Sequence, residues 1–283
     1  MPEAIFTGWY CAEQRSAPGY VVHGDEANRG LALRPLWWNS VSSFLEPKTV
    51  VIVDSASPLV APDERYFSGR IERIRLQVNP GHAQVTTFHY CGWMASVLLG
   101  VEYALLNGMD YFLYVEQDAL LFGKELSIRI EDQLRRHRFV FGAGTGTPWP
   151  LQQSVFAIRK DGYRKFLAGI HALEQDDKAL SPELKFALAA TESRAVVTAA
   201  KGALWSLPDS VKIRALRHGL RPLRDYGVLP FGYGRTRPMR FDDDCFYFQH
   251  GSREELRSYA AKLGVQASGF QLIEPSAREA GVW

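Results

Sequence analysis

Short, continuous apolar runs alternate with stretches of helical periodicity through the N-terminal part of this chain, the pattern of βαβ units stacked into a sheet. The clearest run is Thr49-Val-Val-Ile-Val53. It is apolar without alternation, as a parallel strand covered on both faces requires, and it ends in the turn cluster Asp54-Ser-Ala-Ser-Pro58. Ala4 to Tyr10 reads as an earlier strand. Leu33 to Phe44 reads as a helix stopped by Pro47, and Ile71 to Val78 as a third strand closed by Asn79-Pro-Gly81. In the helix that follows, Met94, Val97, Leu98, Val101, Ala104 and Leu105 share a face, and Gly108 is placed for a left-handed C-terminal cap. Tyr111 to Val115 is the fourth strand, running straight into Glu116-Gln117-Asp118 before Ala119 to Phe122 turns apolar again.

The rest of the chain is less regular. Phe139 to Ala143 and Ser154 to Ile158 read as strands around the loop from Gly142 to Pro150, and Asp161 to Leu173 as a helix. Ser181-Pro182-Glu183 marks another helix start, with Ser at the cap and Pro in the first turn. Leu204 to Met239, rich in Arg, Gly and Pro, reads as a long excursion. Cys245 to Gln249 is a last strand, and Ser252-Arg-Glu-Glu255 a capping box opening a helix that Gly264 ends. The expected fold class is therefore α/β: a doubly wound mixed sheet flanked by helices. A length of 283 residues suits a single domain with a ligand-binding half, 1–122, and an elaborated half, 123–283.

A net charge of +2 gives no case for nucleic acid as a partner. Cys11, Cys91 and Cys245 are far apart and odd in number, which fits free thiols in a reducing compartment. The opening MPEAIFTGWYCAEQR lacks the basic and apolar regions of a secretory signal, and Trp93 to Leu106 is too short to cross a bilayer. The expected location is cytoplasmic.

Two carboxylates one residue apart, just past a buried strand, need a reason. On a continuing strand Glu116 and Asp118 point to one side, and at the C-terminal edge of an open parallel sheet that side faces the ligand crevice. Like charges there repel unless a cation lies between them. Carboxylate and phosphate oxygens together form the shell that Mg2+ or Mn2+ prefers.

The ordered series of the Val50–Asp54 strand and its turn, Asn79-Pro-Gly81, a helix, and Tyr111-Phe-Leu-Tyr-Val-Glu-Gln-Asp118 resembles the nucleotide-binding half of the GT-A glycosyltransferases. That resemblance implies transfer of a sugar from a nucleotide-sugar donor to a glycan, lipid-linked or small-molecule hydroxyl acceptor. It implies Asp54 near the nucleoside and a Glu-x-Asp variant of the metal-bearing DxD motif, with Mn2+ or Mg2+ held by Glu116 and Asp118. It also implies a late-strand His as a further ligand, a position that His250 matches.

Around the donor, Thr7, Asn79, Gly81, Gln117 and Gln153 are further candidate contacts, and Arg235 and Arg237 are candidates for the diphosphate. The catalytic base is sought in Glu183 at its helix start, with Asp176 and Asp177 as alternatives. Asp242, Asp243 and Asp244 form a rival acidic cluster that reads as a solvated loop. The segment Arg214–Arg224 is a candidate for peripheral membrane contact through anionic lipid, or for an acidic acceptor. A sugar-phosphate nucleotidyltransferase is the competing enzyme. It needs a basic Gly-rich loop after the first strand, which Thr7 to Ala12 does not supply. A non-catalytic nucleotide- or carbohydrate-binding protein is the third reading.

Overall fold

A computed structural model describes residues 2–12, 31–59, 63–144, 147, 149–191, 211 and 225–264. In chain order the strands are β1 (Ala4–Trp9), β2 (Thr49–Asp54), β3 (Arg70–Arg75), β4 (Tyr111–Val115), β5 (Ala119–Phe122), β6 (Phe139–Ala143), β7 (Leu151–Arg159), β8 (Tyr226–Val228) and β9 (Phe246–Gln249). The α-helices are α1 (Arg34–Phe44), α2 (Gly92–Leu106), α3 (Leu126–Arg136), α4 (Tyr163–His171), α5 (Pro182–Ala189) and α6 (Arg253–Lys262).

Seven strands form one mixed sheet in the order β3-β2-β1-β4-β7-β6-β8, and β5 pairs with β9 in a separate two-stranded sheet. β1 to β4 are parallel, and β7 runs antiparallel to both β4 and β6. From β1 the chain builds outward to β2 and β3, then returns to place β4 on the other side of β1. That reversal creates a crevice at the C-terminal ends of β1 and β4.

The apolar run in β2 is explained by its two covered faces. Val51 joins the layer containing α2, α4 and α5, while Val50 and Ile52 join the layer containing α1, α3 and α6. Helix α3 was not anticipated from sequence, although Leu126, Ile130 and Leu134 recur at one-turn spacing and are all buried. Strand β3 ends at Arg75, short of the expected Val78, and the expected helix at Asp161 begins with a 3-10 turn at Lys160–Gly162.

The described end of the expected Leu204–Met239 excursion corrects that reading. Tyr226–Val228 is a sheet strand paired with β6, and Gly234 bridges to Phe248. Tyr226 is buried against Phe141, so burial rather than composition decides its place. The Arg214–Arg224 segment lies outside the described residues. Among the described residues no helix is long and apolar enough to cross a membrane.

Candidate active site

Strand β4 ends at Val115, and the chain then makes a tight turn rather than continuing extended. The Ala119 N–H donates to the Glu116 carbonyl at 2.9 Å. The same-side argument for Glu116 and Asp118 therefore fails in its detail, but the turn still brings the two carboxylates together. The Gln249 amide nitrogen, at the end of β9, donates to Glu116 Oε2 at 2.7 Å and to Asp118 Oδ1 at 3.1 Å. The turn is held from behind, where the Trp37 indole N–H donates to the Glu116 carbonyl at 3.0 Å and the Tyr10 N–H to Gln117 Oε1 at 3.0 Å.

Asp118 is 2% exposed. Its Oδ2 lies 3.3 Å from His250 Nε2. His250 reaches it because β5 and β9 are antiparallel neighbours, with Ala119 opposite Gln249, and because its own backbone adopts φ 56° between β9 and α6. The predicted capping box is present, with Ser252 and Glu255 bonding reciprocally, and it starts α6 two residues later.

Arg235 and Arg237 part company. Arg237 donates to the carbonyls of Gly234, Thr236, Gln249 and His250 and pairs with Glu255 at 2.5 Å, so it fixes the turn that carries His250. Arg235 approaches Gln249 Oε1 with its Nε at 3.4 Å. Its charge also reaches Glu183 in the first turn of α5. Burial pushes the Glu183 carboxyl above the ordinary glutamate range, with its own backbone N–H and Arg235 pulling the other way. Glu116, Asp118, Gln249, His250 and Arg235 thus form one continuous polar cluster.

Beside this cluster, β7 carries an irregularity. Phe141 of β6 faces Phe156, but Gly142 faces Gln152, leaving three residues of β7 with no partner on that side. Bulges of this kind re-aim side chains next to functional sites. Both amide atoms of Gln152, Oε1 of Gln153 and Oγ of Ser154 are buried with no hydrogen-bond partner among the described residues, a costly state for a region that binds nothing. A Cβ on Gly234 would overlap the Gln152 amide, which places that amide against the backbone next to Arg235.

The other predicted residues have structural partners. Asp54 accepts from the Ser57 N–H at 2.7 Å, and Asn79 from the Gly81 N–H at 2.9 Å. Gly81, at φ 78°, takes the Gly92 N–H on its carbonyl and seats that turn on the start of α2. Thr7 is buried within β1. Asp177 is buried too. It accepts the Cys91 N–H at 2.7 Å and pairs with Lys185 at 2.8 Å. Asp243 is engaged by Tyr233 and Arg240 in the turn before β9. Ser181 makes no side-chain cap bond, although α5 starts where expected. The three cysteines are free.

Among the described residues no group of three His, Cys, Asp or Glu side chains is arranged to hold a metal ion by itself. Neighbouring ligands of an octahedral Mg2+-sized ion lie about 3 Å apart, and the 3.3 Å between His250 Nε2 and Asp118 Oδ2 matches that spacing. Two carboxylates and an imidazole leave positions for phosphate oxygens and water.

A mixed sheet of order 3-2-1-4, with an acidic turn directly after the fourth strand at the switch point, settles the architecture. The fold is a doubly wound mixed α/β sheet flanked by helices. No protein-family model matches the chain, and no curated protein does. Among solved structures the chain is similar to a mannosyltransferase from Pyrobaculum calidifontis in complex with GDP-Man and Mn2+, at 12% identity and a TM-score of 0.46, covering 94% of this chain and 65% of that one. It is also similar to residues 1–349 of S. aureus TarS, at 13% identity and a TM-score of 0.42, covering 78% and 71%. A cytidylyltransferase from Leptospira borgpetersenii is similar at 9% identity and a TM-score of 0.36, covering 59% and 65%. The chain spans just under two thirds of the length of the mannosyltransferase.

Proposed function

We propose that this protein transfers a glycosyl group from a nucleoside-diphosphate sugar to a hydroxyl acceptor, with Mn2+ or Mg2+ held by Glu116, Asp118 and His250. The carrying observation is the convergence of two carboxylates and an imidazole at the switch-point end of β4, bridged by the Gln249 amide, with Arg235 beside it. A bound divalent cation supplies positive charge to the diphosphate as it leaves.

Glu183 is the base that takes the acceptor hydroxyl proton. Burial shifts its proton affinity upward, the direction a general base requires. The acceptor oxygen then bonds to the anomeric carbon while the bond from that carbon to the diphosphate oxygen breaks, and the diphosphate departs with the electron pair. Arg235 faces that charge. Gln152, Gln153 and Ser154 supply the buried hydrogen-bonding atoms for sugar hydroxyls. Asp54, Asn79 and Gly81 border the nucleoside side. Asp177 and Arg237, both engaged within the protein, position these groups rather than touch substrate.

The test is calorimetric titration of UDP, GDP and CTP with Mn2+ and with chelator. One diphosphate is expected to bind only when Mn2+ is present, and Asp118→Asn is expected to abolish that dependence in a folded protein. Equal affinity with chelator, or an unchanged response in Asp118→Asn, overturns the assignment. Slow hydrolysis of the matching nucleotide-sugar then separates an enzyme from a binding protein.

A further inference from the structure

Gln249 sits between Glu116 and Asp118, where a cation bridging the two would lie. Its amide nitrogen donates to both carboxylates, at 2.7 and 3.1 Å, and the residue is 2% exposed. The orientation of this amide is fixed by its surroundings. Its NH2 faces two acceptors and its oxygen faces the Arg235 guanidinium, so the flipped amide would set oxygen against oxygen and N–H against N–H. An amide NH2 carries only partial positive charge but has two protons, one for each carboxylate.

We propose that Gln249 is a resident plug of the cation site, a specificity-determining residue that raises the cost of binding a bare divalent ion. This rests on the metal reading given above. For a cation to bridge Glu116 and Asp118, the amide must withdraw and give up two hydrogen bonds to charged acceptors. A cation arriving with a nucleoside diphosphate is compensated by the phosphate oxygens and by Arg235, which the departing amide oxygen releases. A cation arriving alone has neither compensation. The plug therefore favours joint entry of ion and nucleotide, and it holds the two acids at working separation in the interval between turnovers.

The experiment is titration of Mn2+ alone, followed by electron paramagnetic resonance of the free ion, on wild type, Gln249→Met and Asp118→Asn. Gln249→Met keeps the side-chain volume and removes both donors. Hydrogen bonds to charged groups are each strong enough that their removal is expected to tighten Mn2+ binding by about tenfold or more. Equal or weaker binding in Gln249→Met, with wild-type binding still lost in Asp118→Asn, overturns the plug while the cation site stands. Binding that is absent throughout, or indifferent to Asp118→Asn, removes the site and the plug together.

A second measurement needs no variant. In wild type labelled with 15N-glutamine, Mg2+ with GDP or UDP should shift the Gln249 side-chain amide signal and speed its hydrogen exchange. An amide that stays protected when ion and nucleotide are bound also overturns the proposal.

Discussion

His250 reaches Asp118, with Nε2 3.3 Å from Oδ2, only by holding its backbone at φ 56°, a region that a residue with a Cβ enters at a cost. Strain of this kind is kept where the side chain has a task. His250→Gly removes the strain and the proposed metal ligand together. Its unfolding free energy is expected to lie within about 1 kcal/mol of wild type, because relief of strain offsets the entropy of glycine. Mn2+-dependent diphosphate binding is expected to fall by at least about tenfold. Urea unfolding and calorimetry read the two effects separately. A large loss of stability would mean that His250 is a packing residue.

Lys185 and Asp177 form an ion pair with no exposure of either side chain, joining the first turn of α5 to the residue that opens α2. Removing one partner leaves a buried charge, and Lys185→Met is expected to cost about 3–5 kcal/mol. The double variant Lys185→Met with Asp177→Leu should lose clearly less than the sum of the singles. Additive losses in urea unfolding would show that the two groups act independently.

Asp63 is the hinge of a second buried network, bonded by Arg34, Arg73 and the Trp38 indole at 2.5–2.7 Å. Burial pushes its carboxyl up, but Arg34, Trp38 and Arg73 together outweigh burial and hold it below the ordinary value of 3.8. The stabilisation is therefore complete above pH 3.8 and is lost as pH falls through the lower folded-state value. Asp63→Asn is expected to cost about 3–5 kcal/mol at neutral pH, with the gap to wild type closing in strong acid. A gap that stays constant with pH would mean that shape rather than charge matters at this position.

The order of strands and helices in the N-terminal half was legible because each element carries its own period and its own stop signal. Val50 to Val53 and the Ser252 capping box need no distant partner to be recognised. What could not be read were relationships between distant residues. Gln249 carries no local mark of its position, which comes from β9 pairing with β5, Ala119 lying opposite Gln249. The β7 irregularity depends on how β6 registers against it, so sequence marks the Gln152-Gln153-Ser154 run as able to line a sugar pocket but does not show the register that re-aims it. Asp177 and Arg237 were legible as charged residues near the right elements, but sequence does not show that Lys185 and Glu255 already engage them.

In the proposed reaction, Glu183 ties stability to activity through a single proton. Burial raises its carboxyl above the ordinary 4.5, so between 4.5 and the folded-state value the native protein binds more protons than the unfolded chain. Stability therefore falls as pH rises through that window, and the cost stays in place above it. Glu183→Gln removes the charge and keeps the shape, so its thermal midpoint should exceed wild type near neutral pH and match it at about pH 4. The base is needed ionised for transfer, so the acid limb of kcat/KM in wild type should lie above the ordinary glutamate range. Loss of a general base typically costs about 10²–10⁴-fold in rate, and Glu183→Gln should fall in that span with nucleotide affinity intact. A variant that gains stability but keeps its rate would move the base elsewhere, and an acid limb at the ordinary glutamate value would show that burial does not tune this carboxyl for catalysis.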